Sequence, residues 1–261
     1  MSILLEVKGL RAKKVTKSGL FAKPKVFELA PIDFVLQAGE TMAIIGENGS
    51  GKSLLAKLLV GAERPDAGVI TLNGEVLQPD NIKQRCLKIR MIFQQGQGSI
   101  NPGLTLGALL DEPLKLNTEF STLERKRKIE QTLTQVGLMS EHAHFYPHML
   151  SEGQRQRVLL ARALILNPDV IVADEPFAAL DPSVRSQTVN LLMKLQRNLG
   201  VGFIFISHHL GIVRHISDRI LVMKNGEVVE TGKTDVIFNW PKHDYTKKLV
   251  HAYQTLAKTN K

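Results

Sequence analysis

Along the chain, apolar and polar residues fall into short runs whose period switches between two and about 3.6 residues. "ILLEVKGL" and "FVLQAG" alternate or run apolar, and "TMAIIG" reads as a short buried strand that stops on a glycine. A helix is predicted immediately afterwards, from Ser53 through about Val60. "GVITLNGEVL" places Asn-Gly between two strand-like runs, which is a hairpin signal. "IRMIFQ" predicts another strand, ending in the glycine- and proline-containing loop "QGQGSINPG".

From about Leu104 to Leu166 the period becomes helical, with a charged helix around "LERKRKIEQTLTQVGL". Strands and helices then alternate. "DVIVAD" predicts a strand, "PSVRSQTVNLLMKLQRNLG" a helix closed by Gly200, "GFIFIS" a strand, and "DRILVMKNGEVVETG" a last hairpin with Asn-Gly at its turn. This order predicts an α/β fold with a mostly parallel sheet covered on both faces. The all-helical stretch near residues 100–166 predicts a second lobe.

Composition excludes several classes. A single cysteine, Cys86, provides neither an internal disulfide nor a cysteine-ligated metal or iron–sulfur site, and it points to a reducing compartment. The N-terminus, "MSILLEVKGLRAKK", lacks the apolar stretch and cleavage site of a secretory signal. The best apolar run, "VLLARALILNPDVIVA", is broken by Arg162, Asn167, Pro168 and Asp169, so no membrane span is expected. The formal charge of +9 gathers in "RAKKVTK", "AKPK", "KHDYTKK" and "AKTNK". These runs lack aromatic interleaving of the kind that stacks bases, so a solvated surface or weak attraction to lipid headgroups is expected rather than nucleic-acid binding.

Chemistry enters at Gly46–Ser53, "GENGSGKS", which satisfies G-x-x-x-x-G-K-[ST] between a buried strand and a helix. Glycines let backbone N–H groups wrap phosphates, and the helix start adds its positive dipole end. Gly46, Glu47, Asn48, Gly49, Ser50, Gly51, Lys52, Ser53 and Leu54 are therefore the nucleotide-binding candidates. Lys52 is placed for the β- and γ-phosphates, and Ser53 for Mg2+. "DVIVADEP" ends a buried strand in Asp174 and Glu175, a costly arrangement without a cation or a reaction to serve. Asp174 is the candidate Mg2+ partner through water, and Glu175 the residue that polarises the attacking water. "IFISHHLG" brings His208 to a strand end. Neighbouring strand residues point to opposite faces, so only one of His208 and His209 is expected to face a phosphate, and a histidine metal pair is not expected. Ser151 with Gln154, in "LSEGQ", fits the capping box that starts a helix.

Together these elements resemble the ATP-binding subunit of an ABC transporter. The resemblance covers nearly the whole chain and rests on motifs in the family's order. They are the phosphate loop, Gln94 after "MIF", the signature Leu150–Gln154, Asp174–Glu175, "AALD" ending at Asp181, and His208. "SINPGLTLGALLDEPLKL" and "PKHDYTKKLVHA" look like the oligopeptide and dipeptide importer branch. The resemblance implies a RecA-like P-loop core with an antiparallel β subdomain in residues 1–93 and 167–235. It also implies a helical subdomain in 94–166 and a short tail in 236–261.

By the same resemblance, Gln94 senses Mg2+ and water in a loop that also meets a membrane subunit. Ser151, Gly153 and Gln154 face the phosphate held by an opposite subunit, Asp181 makes a contact across the dimer, and His208 clamps the γ-phosphate. ATP and Mg2+ are the implied ligands. The implied partners are a related ATP-binding subunit, more readily a heterodimer than a homodimer, with two integral membrane permease subunits and, indirectly, an extracytoplasmic peptide-binding protein. The implied location is peripheral, on the cytoplasmic face of the bacterial inner membrane. The alternatives are a soluble ABC-type ATPase acting on nucleic acid or the ribosome, a transporter ATPase for nickel or a polyamine, and a catalytically dead regulatory subunit.

Two departures stand out. Leu54 occupies a position where many relatives have threonine, and Lys14 stands near the place where the family stacks adenine on an aromatic, with Phe21 the nearest aromatic in sequence. Glu152 adds a negative charge beside a phosphate-binding helix start. As the first helical residue it is expected to splay into solvent, leaving Gly153 as the bare backbone that a phosphate can approach.

Overall fold

The computed structural model describes residues 2–16, 25–93, 100–177 and 180–259. The chain runs through β1 (Ile3–Thr16), β2 (Lys25–Gln37), β3 (Thr41–Ile45), α1 (Lys52–Val60), β4 (Ala67–Leu72), β5 (Glu75–Val76), α2 (Ile82–Lys88) and β6 (Ile89–Ile92). Helices α3 (Leu106–Asn117), α4 (Thr122–Gln135) and α5 (Glu152–Leu164) follow. Then come β7 (Val170–Asp174), α6 (Pro182–Leu199), β8 (Gly202–Ile206), α7 (Leu210–Ile216), β9 (Arg219–Lys224), β10 (Glu227–Lys233), α8 (Thr234–Asn239) and α9 (Asp244–Thr259). Two compact units result: Met1–Cys86 with Gly202–Lys261, and Leu87–Val201.

In the first unit, β1 extends beyond the predicted strand, because alternation persists: Leu10 and Ala12 are buried while Arg11 and Lys13 are exposed. It pairs antiparallel with β2 and β4. The predicted Asn-Gly hairpins are present, with φ of 50° and 82° at Asn73-Gly74 and of 49° and 86° at Asn225-Gly226. Positive φ at both central residues matches the twist of the flanking strands. Strand β3 lies parallel to both β8 and β9, with Ile44 opposite Ile206 and Ile45 opposite Val222. Every residue of β3 and β8 is buried, as strands covered on both faces require. Ala43 and Ile45 pack in one core cluster with Val222, Ile237, Phe238, Tyr245 and Val250.

In the second unit, β6 and β7 pair in parallel with Ile92 opposite Ala173, so Phe93 and Asp174 leave the pair at the same edge. The predicted helical stretch resolves into α3, α4 and α5, with 3-10 turns at Ser140–His144 and Pro147–Met149. Helices α3 and α4 are joined where Arg125 Nε donates to Asp111 Oδ1 across 2.7 Å. The unit also takes in β6, β7 and α6. No helix among the described residues is long and apolar enough to cross a membrane.

Candidate functional site

The strand-to-helix turn Gly46–Ser53 has the backbone that its glycines allow. Gly46, Gly49 and Gly51 have φ of 149°, 81° and 103°, values that side chains with a Cβ rarely adopt. Gly46 has a second reason to be glycine: a Cβ there would lie 2.1 Å from the Met223 carbonyl oxygen. Lys52 is buried, and its Nζ donates to the carbonyls of Gly46 and Glu47 at 2.7 Å each and to Ser50 Oγ at 3.3 Å. The ammonium is thus held against the loop rather than swung out into water. Ser53, in the first turn of α1, is exposed, while Leu54 is half-buried. Glu47, Asn48 and Gly49 form the exposed crest of the loop.

Two outside contacts brace this loop, and neither is legible as a motif. Gly226 N donates to Ser50 O across 3.0 Å, which ties the β9–β10 turn to the loop. Glu47 N donates to the Tyr245 hydroxyl across 2.9 Å. Phe27 is a third neighbour that sequence reasoning missed: a Cβ on Gly51 would lie 3.1 Å from its Cζ. Phe27 sits directly opposite Lys14 across the β1–β2 pair. Lys14 itself is engaged, with Nζ 2.7 Å from Glu63 Oε1. Phe21 and Gln94 lie outside the described residues.

His208 follows β8, and the parallel register of β3 with β8 brings it to the same edge of the sheet as Gly46. The expectation that His208 and His209 face opposite ways needs correction. Strand β8 ends at Ile206, so strand alternation no longer governs them, and the two rings lie 4.2 Å apart between centroids. His208 is exposed, whereas His209 is half-buried and begins α7.

In the second unit Asp174 ends β7 with only 8% of its surface exposed. Glu175 next to it has φ of 48°. Among the described residues, the other non-glycine residues with positive φ are all asparagines, for which this conformation is common. A glutamate there carries strain of about 1–3 kcal/mol, of the kind that persists where the surroundings over-determine a functional residue. The adjoining turn is held from the side, since Gln156 Nε2 donates to Pro176 O across 2.9 Å.

The start of α5 is the predicted capping box. Ser151 Oγ accepts from Gln154 N at 3.3 Å, and Ser151 N donates to Gln154 Oε1 at 2.9 Å. Gln154 Nε2 also meets His142 Nε2 at 3.4 Å, so both ends of this side-chain amide are engaged within the chain. Glu152 does not splay fully into solvent: it is half-buried and has an interaction partner. Gly153 has a packing reason to be glycine as well, because a Cβ would lie 3.0 Å from Val184 Cγ1 on α6. Asp181 is exposed at the N-cap of α6 without capping it through its side chain.

A glycine-wrapped turn between a buried strand and a helix, with a buried lysine folded onto it, defines a phosphate-loop nucleotide-binding protein. A family model described as "ABC transporter" matches residues 29–178. The chain is 45% identical over 247 residues to the putrescine export system ATP-binding protein SapF of Escherichia coli K12, covering 95% of this chain and 92% of that protein. It has the same identity and coverage with the peptide transport system ATP-binding protein SapF of Shigella flexneri. With the dipeptide transport ATP-binding protein DppF of Escherichia coli it is 45% identical over 253 residues, 95% of this chain and 76% of the relative.

Among solved structures, cbiO1 of Clostridium perfringens, part of the transporter complex cbiONQ, has a TM-score of 0.77 at 26% identity, covering 92% of each chain. The dimeric cassette MJ0796 in a post-hydrolysis state bound to ADP and Pi has a TM-score of 0.73 at 30% identity, covering 88% of this chain and 99% of that one. The chain belongs to the ABC transporter ATP-binding family. It has the ABC ATPase fold, binds ATP and is an ATPase.

Proposed function

We propose that this chain powers a membrane transporter by closing, together with a related ATP-binding subunit, on two ATP molecules. The observation that carries this reading is that the chain offers two helix starts suited to phosphate, only one of which has a lysine. Helix α1 has Lys52 held on a glycine-rich loop. Helix α5 has only a capped start and a glycine, Gly153. A half-site of that kind is completed by a nucleotide brought on another chain. Ser151 and Gly153 then meet the partner's γ-phosphate, Gln154 holds their cap, and Asp181 contacts the facing subunit.

Within the reaction, Lys52 and the loop N–H groups hold the phosphates while His208 clamps the γ-phosphate. Glu175 orients and polarises the attacking water. Ser53, Gln94 and Asp174 are oxygen donors, the ligand chemistry that Mg2+ takes, and when bound it supplies charge neutralisation to the phosphates. The helical subdomain of residues 94–166 carries the motion to two permease subunits through the Gln94 loop. That makes the chain peripheral, at the cytoplasmic face of a bacterial inner membrane, with an extracytoplasmic binding protein as an indirect partner.

The substrate we propose is peptide, supported by the "PKHDYTKKLVHA" and "SINPGLTLGALLDEPLKL" stretches and by relatives named for peptide and dipeptide transport. A polyamine is the second reading, because an equally similar relative is named for putrescine export. Cells lacking this chain, assayed for labelled peptide uptake and for putrescine efflux, separate the two. Loss of peptide uptake alone supports the first reading, and loss of putrescine efflux alone overturns it.

A further inference from the structure

The C-terminal stretch "PKHDYTKKLVHA" has no part in the chemistry above, yet the structure carries it to the phosphate loop. Glu230 on β10 accepts from two successive backbone donors, Lys242 N at 2.8 Å and His243 N at 3.0 Å, which pins the turn before α9. His243 Nδ1 then accepts from Tyr245 N at 3.1 Å, fixing the first turn of the helix. Tyr245 is 7% exposed and packs in the cluster that contains Ala43 and Ile45 of β3, the strand leading into the loop. Its hydroxyl takes the N–H of Glu47. Lys224 Nζ stands 5.1 Å from the centroid of its ring.

Burial pushes the Tyr245 phenol up, the Glu47 N–H pulls it down, and the Glu47 carboxylate pushes it up again through its charge and a side-chain hydrogen bond, with a net rise. The hydroxyl therefore stays neutral across the working pH range.

We infer that Tyr245 is a positioning residue for nucleotide binding, acting through the backbone of Glu47 to hold the entry of the phosphate loop in its binding shape. Glu47 N–H lies at the second position of the loop. Leaving that donor unpaired would free the residues before Gly49 to sample other shapes, and nucleotide binding would have to select the competent one. The effect is on affinity rather than on chemistry, because the bond that Tyr245 makes is to the loop backbone at Glu47, ahead of Lys52 and Ser53. Linkage makes it reciprocal: nucleotide in the loop strengthens the seat of α9, so the C-terminal arm reports on occupancy.

The inference rests on Gly46–Ser53 being the ATP site, and the test separates the two. In the full-length chain, Tyr245→Phe keeps the ring and its packing and removes the hydroxyl, which accepts from the Glu47 N–H and also meets the Glu47 side chain. Its affinity for ADP and ATP, measured by calorimetry, should fall about two- to tenfold, the range of one net hydrogen bond. In the assembled transporter, KM for ATP should rise by the same factor with kcat at saturating ATP unchanged. Hydrogen exchange should show faster exchange at residues 43–50, and ADP should protect the start of α9 in the parent but less in the variant. Lys52→Ala is the control for the site itself. If Lys52→Ala leaves binding intact, the ATP site has been misplaced. If Lys52→Ala abolishes binding while Tyr245→Phe binds nucleotide and exchanges like the parent, Tyr245 is a packing residue and the inference is overturned.

Discussion

Gln156, on the helix that starts at the signature, donates its side-chain amide to the carbonyl of Pro176, the residue after Glu175, across 2.9 Å. Gln156 is 4% exposed, so the bond is shielded from water. The helix that presents Ser151 and the turn that presents Glu175 are therefore mechanically joined within one unit. Gln156→Leu leaves a buried carbonyl unpaired, at a cost of about 1–3 kcal/mol. It also frees the Glu175 turn, and a displacement of about 1 Å at a reacting group can cost on the order of a hundredfold in rate. Steady-state ATP hydrolysis by the assembled transporter should fall at least about tenfold in kcat, with KM for ATP nearly unchanged.

Glu175 holds a left-handed conformation that asparagine adopts at lower cost. Glu175→Asn should raise the melting temperature by a few degrees, from relief of about 1 kcal/mol. The same change should nearly abolish turnover. Differential scanning calorimetry and an ATPase assay on one preparation check both halves, and a variant that is both active and more stable would contradict the role given to Glu175.

At Gly153, packing and phosphate approach can be separated. Gly153→Ala brings a Cβ to 3.0 Å from Val184 Cγ1 and should lower the melting temperature. Pairing it with Val184→Ala removes the obstructing methyl and should restore much of the stability. If bare backbone is needed for phosphate, ATP turnover stays low in the double variant; if it returns with stability, Gly153 serves packing alone. Gly153→Asp should nearly abolish activity on either account. Glu152→Gly should change turnover only slightly, while lowering stability through loss of the acid at a helix start and of the contact that the half-buried side chain makes.

Asp111 gives a pH signature. Burial of its carboxyl pushes the pKa up, but hydrogen bonds from Lys115 and Arg125, together with their charges, outweigh that and lower it. A depressed carboxyl contributes stability above its unfolded value of about 3.9 and loses it as pH falls through the folded value. The melting temperature of the parent should therefore exceed that of Asp111→Asn by a constant margin above about pH 5. The margin should shrink as pH falls below about 4. A margin that persists undiminished to pH 2 would mean that the Asp111 bonds hold α3 to α4 without any charge.

Much of this was legible because it is local. Each Asn-Gly turn carries its own backbone preference, and the capping box at Ser151 closes within four residues. The strands of β3, β7 and β8 announce themselves as unbroken apolar runs. What the sequence did not disclose depends on partners far along the chain. Tyr245 meets Glu47 from the far end of the chain, and Gln156 reaches Pro176 from another element; no period or spacing encodes either. The conformation of Glu175 is set by surroundings that override its own preference. The half-burial of Glu152 and the adjacency of the His208 and His209 rings differ from expectation for the same reason: local rules assumed solvent and strand geometry, and tertiary packing supplied neither.

On the proposed function, ATP hydrolysed in this chain's own phosphate loop drives a membrane permease. The most direct measurement is ATP turnover by the complex purified with its permease, comparing the parent with Lys52→Ala and Glu175→Gln. Lys52→Ala should lose nucleotide binding at this subunit, Glu175→Gln should keep binding but lose turnover there, and permease rather than DNA should stimulate the parent. Unchanged turnover in Glu175→Gln, or strong stimulation by DNA alone, would contradict it.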